Sequence, residues 1–220
     1  MNTIKVIVFD WDGTLFDSMG YKPVNAGRVF AEEFHCPHDE VKALLLKHSG
    51  LPRRTIFKKI CEHYSLPVDN KTLEGLSQKF TEYNIESAKK SALHPDVLET
   101  LQVLSGKWPL YISSASAADE LARVVDSCGI AGLFKEVFGS SPGFEKGAGH
   151  FNRICEAQGC QASDILFVGD DEQDAVIAKS SGVRFVRILR GKKDTTRDDD
   201  GGVISDLKML MTLKNLVPSS

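Results

Sequence analysis

Apolar and polar positions follow two different patterns along the 220-residue chain. Residues 4–9 form a short, β-branched, mostly apolar run, which is typical of a strand in a parallel sheet that is covered on both faces. From Asp17 to about Ser91 no comparable run occurs, and apolar residues recur with helical spacing instead. This stretch of about seventy residues is long enough to form a small helical bundle.

The helical stretch is divided by Pro23, Pro37, Pro52 and Pro67, a residue type that is poorly tolerated inside helices. Helical patterns lie between these prolines and after them, over residues 29–34, 41–46, 55–64 and 72–87. The sequence therefore predicts helices throughout this region and no strand.

After His94 the pattern changes to alternation between helices and strands. Helices are predicted over residues 96–105, 118–128, 149–158 and 174–181, and strands over residues 110–113, 136–139, 165–168 and 184–188. Residues 194–202 indicate a loop, residues 203–204 a short strand and residues 207–216 a closing helix. This alternation predicts an α/β fold with a doubly wound parallel sheet.

The two patterns together predict the domain organisation. Residues 1–16 and 92–220 would form an α/β core domain, and residues 17–91 would form a helical cap domain inserted after the first strand. Ligands of open α/β sheets bind beyond the carboxyl ends of the strands. A cap that leaves the sheet from that end would cover the ligand site like a lid.

Composition and charge narrow the class of protein. The net charge is −3, with 27 basic and 30 acidic residues. The sequence therefore lacks the excess of positive charge that is typical of proteins that bind nucleic acid. Five cysteines form no C-x-x-C pair, which favours free thiols in a reducing compartment. The chain shows neither a signal-peptide pattern nor an apolar run of about 20 residues. We therefore expect a cytoplasmic protein without a membrane or nucleic-acid partner.

Acidic residues close two of the predicted strands. Asp10 and Asp12 follow the first strand, and positions i and i+2 of a strand point to the same face. Asp170 closes a later strand, and Asp174 begins the helix after it. Alone, the second cluster is equally explained by a helix N-cap with acidic first-turn residues. Together, the two clusters favour a site for a hard cation, and oxygen ligands suit Mg²⁺.

These residues resemble the motifs of the haloacid dehalogenase superfamily, in its phosphoglycolate phosphatase and β-phosphoglucomutase-like branch. Asp10-Trp11-Asp12-Gly13-Thr14 resembles the first motif, D-x-D-G-T, and Gly169-Asp170 with Asp174 resembles the fourth, G-D-x-x-x-D. Ser114 fits the second motif best, with Ser113 as the alternative, and Lys146 fits the third. The helical insert matches the position of a C1-type cap. Gly147 departs from the Lys-Pro that is frequent in relatives, so the loop shape there stays open.

The resemblance implies a mechanism. Asp10 would attack phosphorus to form an aspartyl-phosphate, and Asp12 would act as general acid and then as general base. Lys146 would neutralise charge near Asp10, and Ser114 with nearby backbone N–H groups would bind the phosphoryl oxygens. The further phosphate-binding candidates are Gly13, Thr14 and Ala115. Mg²⁺ would be held by Asp10, the Asp12 carbonyl oxygen, Asp170 and Asp174, the last directly or through water.

The substrate side of the site is predicted less sharply. Arg53 and Arg54 follow Gly50 in a segment that resembles the substrate-recognising cap loop, and they could clamp an anionic group or simply begin a solvated helix. Lys22 is a weaker candidate. The expected partner is a small phosphorylated metabolite, and the expected assembly is a monomer or weak homodimer. A phosphatase is the first hypothesis, a phosphosugar mutase the second, and a non-catalytic binding protein the third.

Overall fold

The structure is a computed structural model that describes residues 3–191 and 202–213. A six-stranded sheet with the order β3-β2-β1-β4-β5-β6 forms its centre, and every neighbouring pair of strands is parallel. The strands are β1 (Val6–Phe9), β2 (Leu110–Ala117), β3 (Glu136–Ser140), β4 (Ile165–Gly169), β5 (Arg184–Ile188) and β6 (Val203–Ile204). This order is that of a doubly wound fold, so the predicted fold class is confirmed.

The helices of the described residues fall into two groups along the chain. Those that follow β1 are α1 (Lys22–Phe34), α2 (His38–Lys47), α3 (Arg53–His63) and α4 (Asn70–Ala88). Those that connect the remaining strands are α5 (Val97–Ser105), α6 (Ala118–Ser127), α7 (Ala148–Gln158) and α8 (Glu172–Ser181). None of the helices in these described ranges combines the length and the apolar character that crossing a bilayer requires.

The buried apolar residues of the two described ranges divide into three clusters. Successive side chains of β1 point to opposite faces of the sheet, so Ile7 and Phe9 join one cluster and Val6 and Val8 join another. A third cluster, which contains Phe57, is built entirely from residues of the segment that α1 to α4 span. The helical insert therefore has an apolar core of its own beside the two cores that cover the sheet.

Sequence patterns predicted element types better than element ends. The predicted strand over residues 110–113 continues to Ala117, where it pairs with Ser140 of β3 after a register shift. The predicted closing helix over residues 207–216 is a 3₁₀ helix over Leu207–Thr212, and residues 214–216 lie outside the described residues. The predicted loop over residues 194–202 lies almost entirely outside them as well.

The strand register brings the predicted site residues to one edge of the sheet. Phe9 of β1 pairs with Ile112 of β2 and with Val168 of β4. Asp10, Ser113 and Gly169 each come one residue after these paired positions. They therefore lie at the same level of the sheet. The Asp10 backbone N–H donates to the Val168 carbonyl oxygen at 2.8 Å, which fixes the start of the loop that follows β1.

Candidate active site

Asp10 is a buried carboxylate that pairs with a buried lysine. Lys146 Nζ lies 2.6 Å from Asp10 Oδ1 and 2.5 Å from Asp174 Oδ1, and the three side chains are at most 6% exposed. Burial raises the pKa of Asp10 and that of Asp174, and Lys146 opposes both shifts. Burial lowers the pKa of Lys146, but the two carboxylates outweigh it and raise that pKa overall. Contact with Lys146 thus reduces the rise in the pKa of Asp10 but does not reverse it.

A cluster of carboxylates capable of holding a metal surrounds this pair. One carboxylate oxygen from each of Asp10, Asp170 and Asp174 lies within 4.8 Å of the other two. Gly13 has a φ of +79°, and a Cβ there would lie 2.5 Å from Asp170 Oδ2, so the loop after β1 needs glycine to approach this carboxylate. Two buried carboxylates facing one lysine leave negative charge that a divalent cation would compensate.

The second acidic cluster also caps a helix. Asp171 is the N-cap of α8, with Oδ1 accepting from the Gln173 backbone N–H at 2.9 Å. Asp174 Oδ2 accepts from the Asp171 N–H in return at 3.4 Å. Asp174 thus completes the cap with one oxygen and faces Lys146 with the other, so the cap does not exclude a cation site at this carboxylate.

Asp12 is held by groups from both parts of the molecule. Lys22 Nζ, at the start of α1, lies 2.6 and 2.7 Å from its two carboxylate oxygens, and the Ser116 hydroxyl donates to it at 2.7 Å. Burial acts to raise the pKa of Asp12, but Lys22 and Ser116 outweigh it and lower that pKa overall. The Asp12 carboxylate is thus charged in this arrangement.

The two serines of the second motif have different partners. Ser114 Oγ accepts from the Ser116 backbone N–H at 3.1 Å, at the carboxyl edge of the sheet. Ser113 Oγ lies 2.8 Å from His150 Nδ1, inside the core. Ser140 joins this region to the lysine, because its hydroxyl donates to the Ser114 carbonyl oxygen and accepts from the Lys146 N–H.

A cavity of about 130 Å³ lies between the sheet edge and helices α1 to α4. Its polar lining includes Asp10, Asp12, Lys22, Arg53, Ser116, Lys146, Asp170 and Asp171. The apolar part of its wall comes from Met19, Pro23, Leu45, Leu51, Ile56, Phe57, Phe80 and Ala115. The edge that carries Asp10 and the wall that the helical insert supplies therefore enclose one space.

Arg53 and Arg54 occupy different environments. The Arg53 guanidinium donates to Glu120 Oε2 at 2.5 Å and to Thr81 Oγ1 at 2.7 Å, at the wall of the cavity. Arg54 is exposed, donates to Asn70 Oδ1 at 2.5 Å and does not line the cavity. Of the two arginines considered from the sequence, only Arg53 is in a position to face a ligand.

Three residues in or beside the cavity were not among the principal candidates drawn from the sequence. Ser116 is part of the second-motif segment, and its alternation with Ser114 along β2 was an available signal. Lys22 is only a weaker candidate from the sequence, although it lies in the first turn of the first inserted helix and follows the acidic motif closely. Glu120 carries no local signal, because only the packing of α4 against α6 explains its burial.

Comparison with known proteins identifies the family. The family model described as haloacid dehalogenase-like hydrolase matches residues 7–188. The chain belongs to this family. The expected resemblance is therefore confirmed for most of the chain, including the region that contains all four motifs.

The family's members that resemble this chain include phosphatases. A phosphoglycolate phosphatase from Haemophilus influenzae (strain 86-028NP) is 26% identical over 225 residues, covering 97% of this chain and 100% of that protein. A crystal structure described as a predicted phosphoglycolate phosphatase from Haemophilus somnus 129PT has a TM-score of 0.77 at 21% identity, covering 97% and 99% of the two chains. A hydrolase from Pseudomonas syringae has a TM-score of 0.79 at 19% identity, covering 99% and 100%. These two structures support the fold.

Proposed function

We propose that this hydrolase is a magnesium-dependent phosphatase that cleaves a small phosphorylated metabolite through an aspartyl-phosphate on Asp10. The single observation that carries the proposal is the contact of the buried Asp10 carboxylate with Lys146 beside Asp170 and Asp174. The phosphoglycolate phosphatases among its relatives add support, since they cleave phosphate monoesters.

The first chemical step is an attack by Asp10 on phosphorus. An Asp10 oxygen forms the new bond as the bond from phosphorus to the ester oxygen breaks, and Asp12 gives its proton to that leaving oxygen. The approach of a phosphate dianion raises the pKa of a nearby carboxyl group, so substrate binding counteracts the effect of Lys22 on Asp12. Asp12 thereby becomes able to carry the proton that the leaving group needs.

The second step is hydrolysis of the aspartyl-phosphate. Asp12, now a carboxylate, takes a proton from water as the water oxygen attacks phosphorus, and inorganic phosphate leaves from Asp10. Throughout both steps Lys146 offsets the negative charge beside Asp10. The Ser114 hydroxyl and the backbone N–H groups of Thr14 and Ala115 are the candidates to bind the phosphoryl oxygens. The Gly13 N–H, expected from the sequence to take part, donates instead to the Phe16 carbonyl oxygen at 3.0 Å.

The side chains of Asp10, Asp170 and Asp174 fit Mg²⁺, which prefers carboxylate oxygens, and the Asp12 carbonyl oxygen is the fourth candidate. When bound, the ion supplies positive charge next to the phosphoryl oxygens. Asp171 is the N-cap of α8, so we assign it to supporting the metal-side loop and not to holding the metal. This assignment leaves Asp170 and Asp174 as the metal-binding residues of the second acidic cluster.

Phosphate release from a panel of phosphorylated metabolites, with and without Mg²⁺, tests the proposal. We expect release that depends on Mg²⁺ in the wild type and falls by about 10³-fold or more in Asp10→Asn, because the nucleophile is lost. Asp126→Asn, a change of an exposed aspartate on α6, is the matched control and should retain wild-type activity.

Two outcomes would contradict the proposal. A folded wild type that releases no phosphate from any compound would favour the non-catalytic hypothesis. Turnover that isomerises a sugar phosphate only when a sugar bisphosphate is present would favour the mutase hypothesis, in which Asp10 returns its phosphoryl group to a second hydroxyl.

A further inference from the structure

The positive charges that line the cavity are already paired. Among the described residues, the lysines and arginines of the cavity wall are Lys22, Arg53 and Lys146. Lys22 contacts Asp12, and Lys146 contacts Asp10 and Asp174. Arg53 is paired as well, and its partner lies outside the catalytic motifs.

The partner of Arg53 is Glu120, from the first turn of α6. Arg53 Nη2 lies 2.5 Å from Glu120 Oε2, with the two side chains 10% and 3% exposed. The other Glu120 oxygen accepts from Asn84 Nδ2 at 3.1 Å and lies 3.5 Å from Lys22 Nζ. The Thr81 hydroxyl lies 3.2 Å from Oε2. Glu120 is therefore a buried carboxylate whose contacts are satisfied by side chains from α1, α3 and α4.

This arrangement determines what Arg53 can offer to a ligand. Its guanidinium also lies over the Phe80 ring, 4.8 Å from the ring centre, so its orientation is held by three neighbours. A second anionic group of a substrate that reached Arg53 would lie beside Glu120, which already contacts the guanidinium at 2.5 Å. Two like charges in a buried site repel each other.

Much of the cavity wall that the helical insert supplies is apolar. Leu51, Ile56, Phe57 and Phe80 line the cavity on this side, and they offer no hydrogen bond to a charged end group. A substrate whose far end is uncharged would bury its surface here without disturbing the Arg53–Glu120 pair.

We infer that the substrate is the phosphate monoester of an uncharged alcohol, and that Glu120 excludes esters whose leaving group carries a second anion. This inference rests on the proposed phosphatase function. The inferred substrate differs from phosphoglycolate, for which several relatives are named. The leaving group of phosphoglycolate carries a carboxylate. Glu120 then acts as a specificity residue, because the negative charge that it places at Arg53 disfavours one class of substrate.

The test compares two esters of matched size, 2-hydroxyethyl phosphate and 2-phosphoglycolate, which differ in the charge of the leaving group. In the wild type we expect kcat/KM to favour the neutral ester by about ten-fold or more, since placing like charges together is costly. In Glu120→Gln the advantage should shrink by about ten-fold, mainly through a lower KM for 2-phosphoglycolate, because Arg53 is freed. Asp119→Asn, an exposed neighbour on α6, should keep the wild-type ratio.

The ratio of the kcat/KM values for the two esters does not depend on the fraction of folded enzyme. It can therefore be measured even for a variant that folds poorly. A second variant, Arg53→Met with Glu120→Met, removes the buried pair as a unit and should keep the preference for the neutral ester. A selective loss of activity on 2-phosphoglycolate in that variant would overturn the inference, because it would show Arg53 binding the carboxylate.

The inference and the proposed function fail in different ways. A wild type that hydrolyses 2-phosphoglycolate as well as the neutral ester overturns the inference and leaves the phosphatase function standing. If neither ester is turned over but para-nitrophenyl phosphate is, their inhibition constants against that reaction give the same comparison. Absence of Mg²⁺-dependent release from all of these compounds overturns the proposed function and the inference with it.

Discussion

His150 is buried near the edge of the sheet that carries Asp10, and the proposed chemistry does not use its imidazole. It packs against the rings of Phe138 and Phe144, with centroid separations of 5.3 and 4.6 Å, and its Nδ1 faces the Ser113 hydroxyl. Burial lowers the pKa of His150 to about 4. An unfolded chain binds this proton with a pKa of about 6.5, so protonation favours unfolding.

The contribution of His150 to the free energy of unfolding should therefore depend on pH. It is fully present above about pH 6.5 and is lost as the pH falls toward 4, by at most about 3 kcal/mol. His150→Asn retains a polar group near Ser113 and removes the titration. We expect it to flatten the fall in stability between about pH 7 and pH 5, as measured by urea unfolding.

His63→Asn is the control for this measurement, because His63 is exposed on α3. It should lose stability with falling pH as the wild type does. An equally steep fall in His150→Asn would show that other groups determine the acid sensitivity.

The loop between α2 and α3 touches the amino end of α8, and this contact positions one wall of the cavity. Gly50 has a φ of +81°, and a Cβ there would lie 2.6 Å from Gln173 Cβ and 2.9 Å from Asp171 Oδ1. The same loop supplies Ser49, Gly50 and Leu51 to the cavity lining. Any other residue at position 50 would be strained and would push the loop away from α8.

Gly50→Ala should therefore lower kcat/KM by about ten-fold or more, because the wall moves relative to Asp10. The loss should be measured on the best substrate of the panel, together with the thermal midpoint. Gly75→Ala is the matched control: Gly75 is exposed within α4, no atom lies within 4 Å of the added Cβ, and the change should stabilise the protein by about 0.5–1 kcal/mol. Unchanged kinetics in Gly50→Ala would show that the contact with α8 has no effect on the site.

Sequence patterns predicted whether a segment is a helix or a strand where the buried residues of that segment form a regular pattern. The central strands are apolar runs because they are covered on both faces. The buried residues of the amphipathic helices recur at helical spacing. The end of β2 did not follow, because Ser114 and Ser116 carry no apolar signal and the strand reaches Ala117 through its pairing with Ser140 of β3. The 3₁₀ helix at Leu207–Thr212 has an apolar spacing that the sequence does not distinguish from an α-helix.

The acidic half of the site was predictable for a topological reason. Asp10 and Asp170 each follow a strand of a parallel sheet, so their proximity follows from the strand order alone. The contact between Glu120 and Arg53 joins residues 67 positions apart through the packing of separate helices, and no local pattern encodes it. The cluster of carboxylates was thus predictable from strand ends, whereas the Arg53–Glu120 contact, on which the proposed substrate preference rests, is visible only in the folded chain.

Within the part of the chain that the structure describes, one apolar cluster lies in α1 to α4 and two lie against the sheet. The chain enters and leaves the helical region at neighbouring points, since Phe16 forms an antiparallel bridge with Leu93. We propose on this basis that residues 17–91 form a cap domain on a core of residues 1–16 and 92–220. Buried polar contacts, including Arg53–Glu120 and Lys22–Asp12, then join the two across the cavity.

Separate apolar cores imply that the cap can lose stability without the sheet. Phe57 packs edge-on against Phe30 and Phe80, and Phe57→Ala should cost about 3–5 kcal/mol through the cavity that it leaves. Hydrogen exchange should then rise across α1 to α4 and stay slow in β1, β2 and β4. Phe151→Ala, a matched change in the sheet cluster against Phe167, should raise exchange in the strands instead. If Phe57→Ala accelerated hydrogen exchange equally in α1 to α4 and in the strands, the cap and the sheet would unfold as one cooperative unit. The contacts across the cavity would then couple the two parts as strongly as the packing within each core.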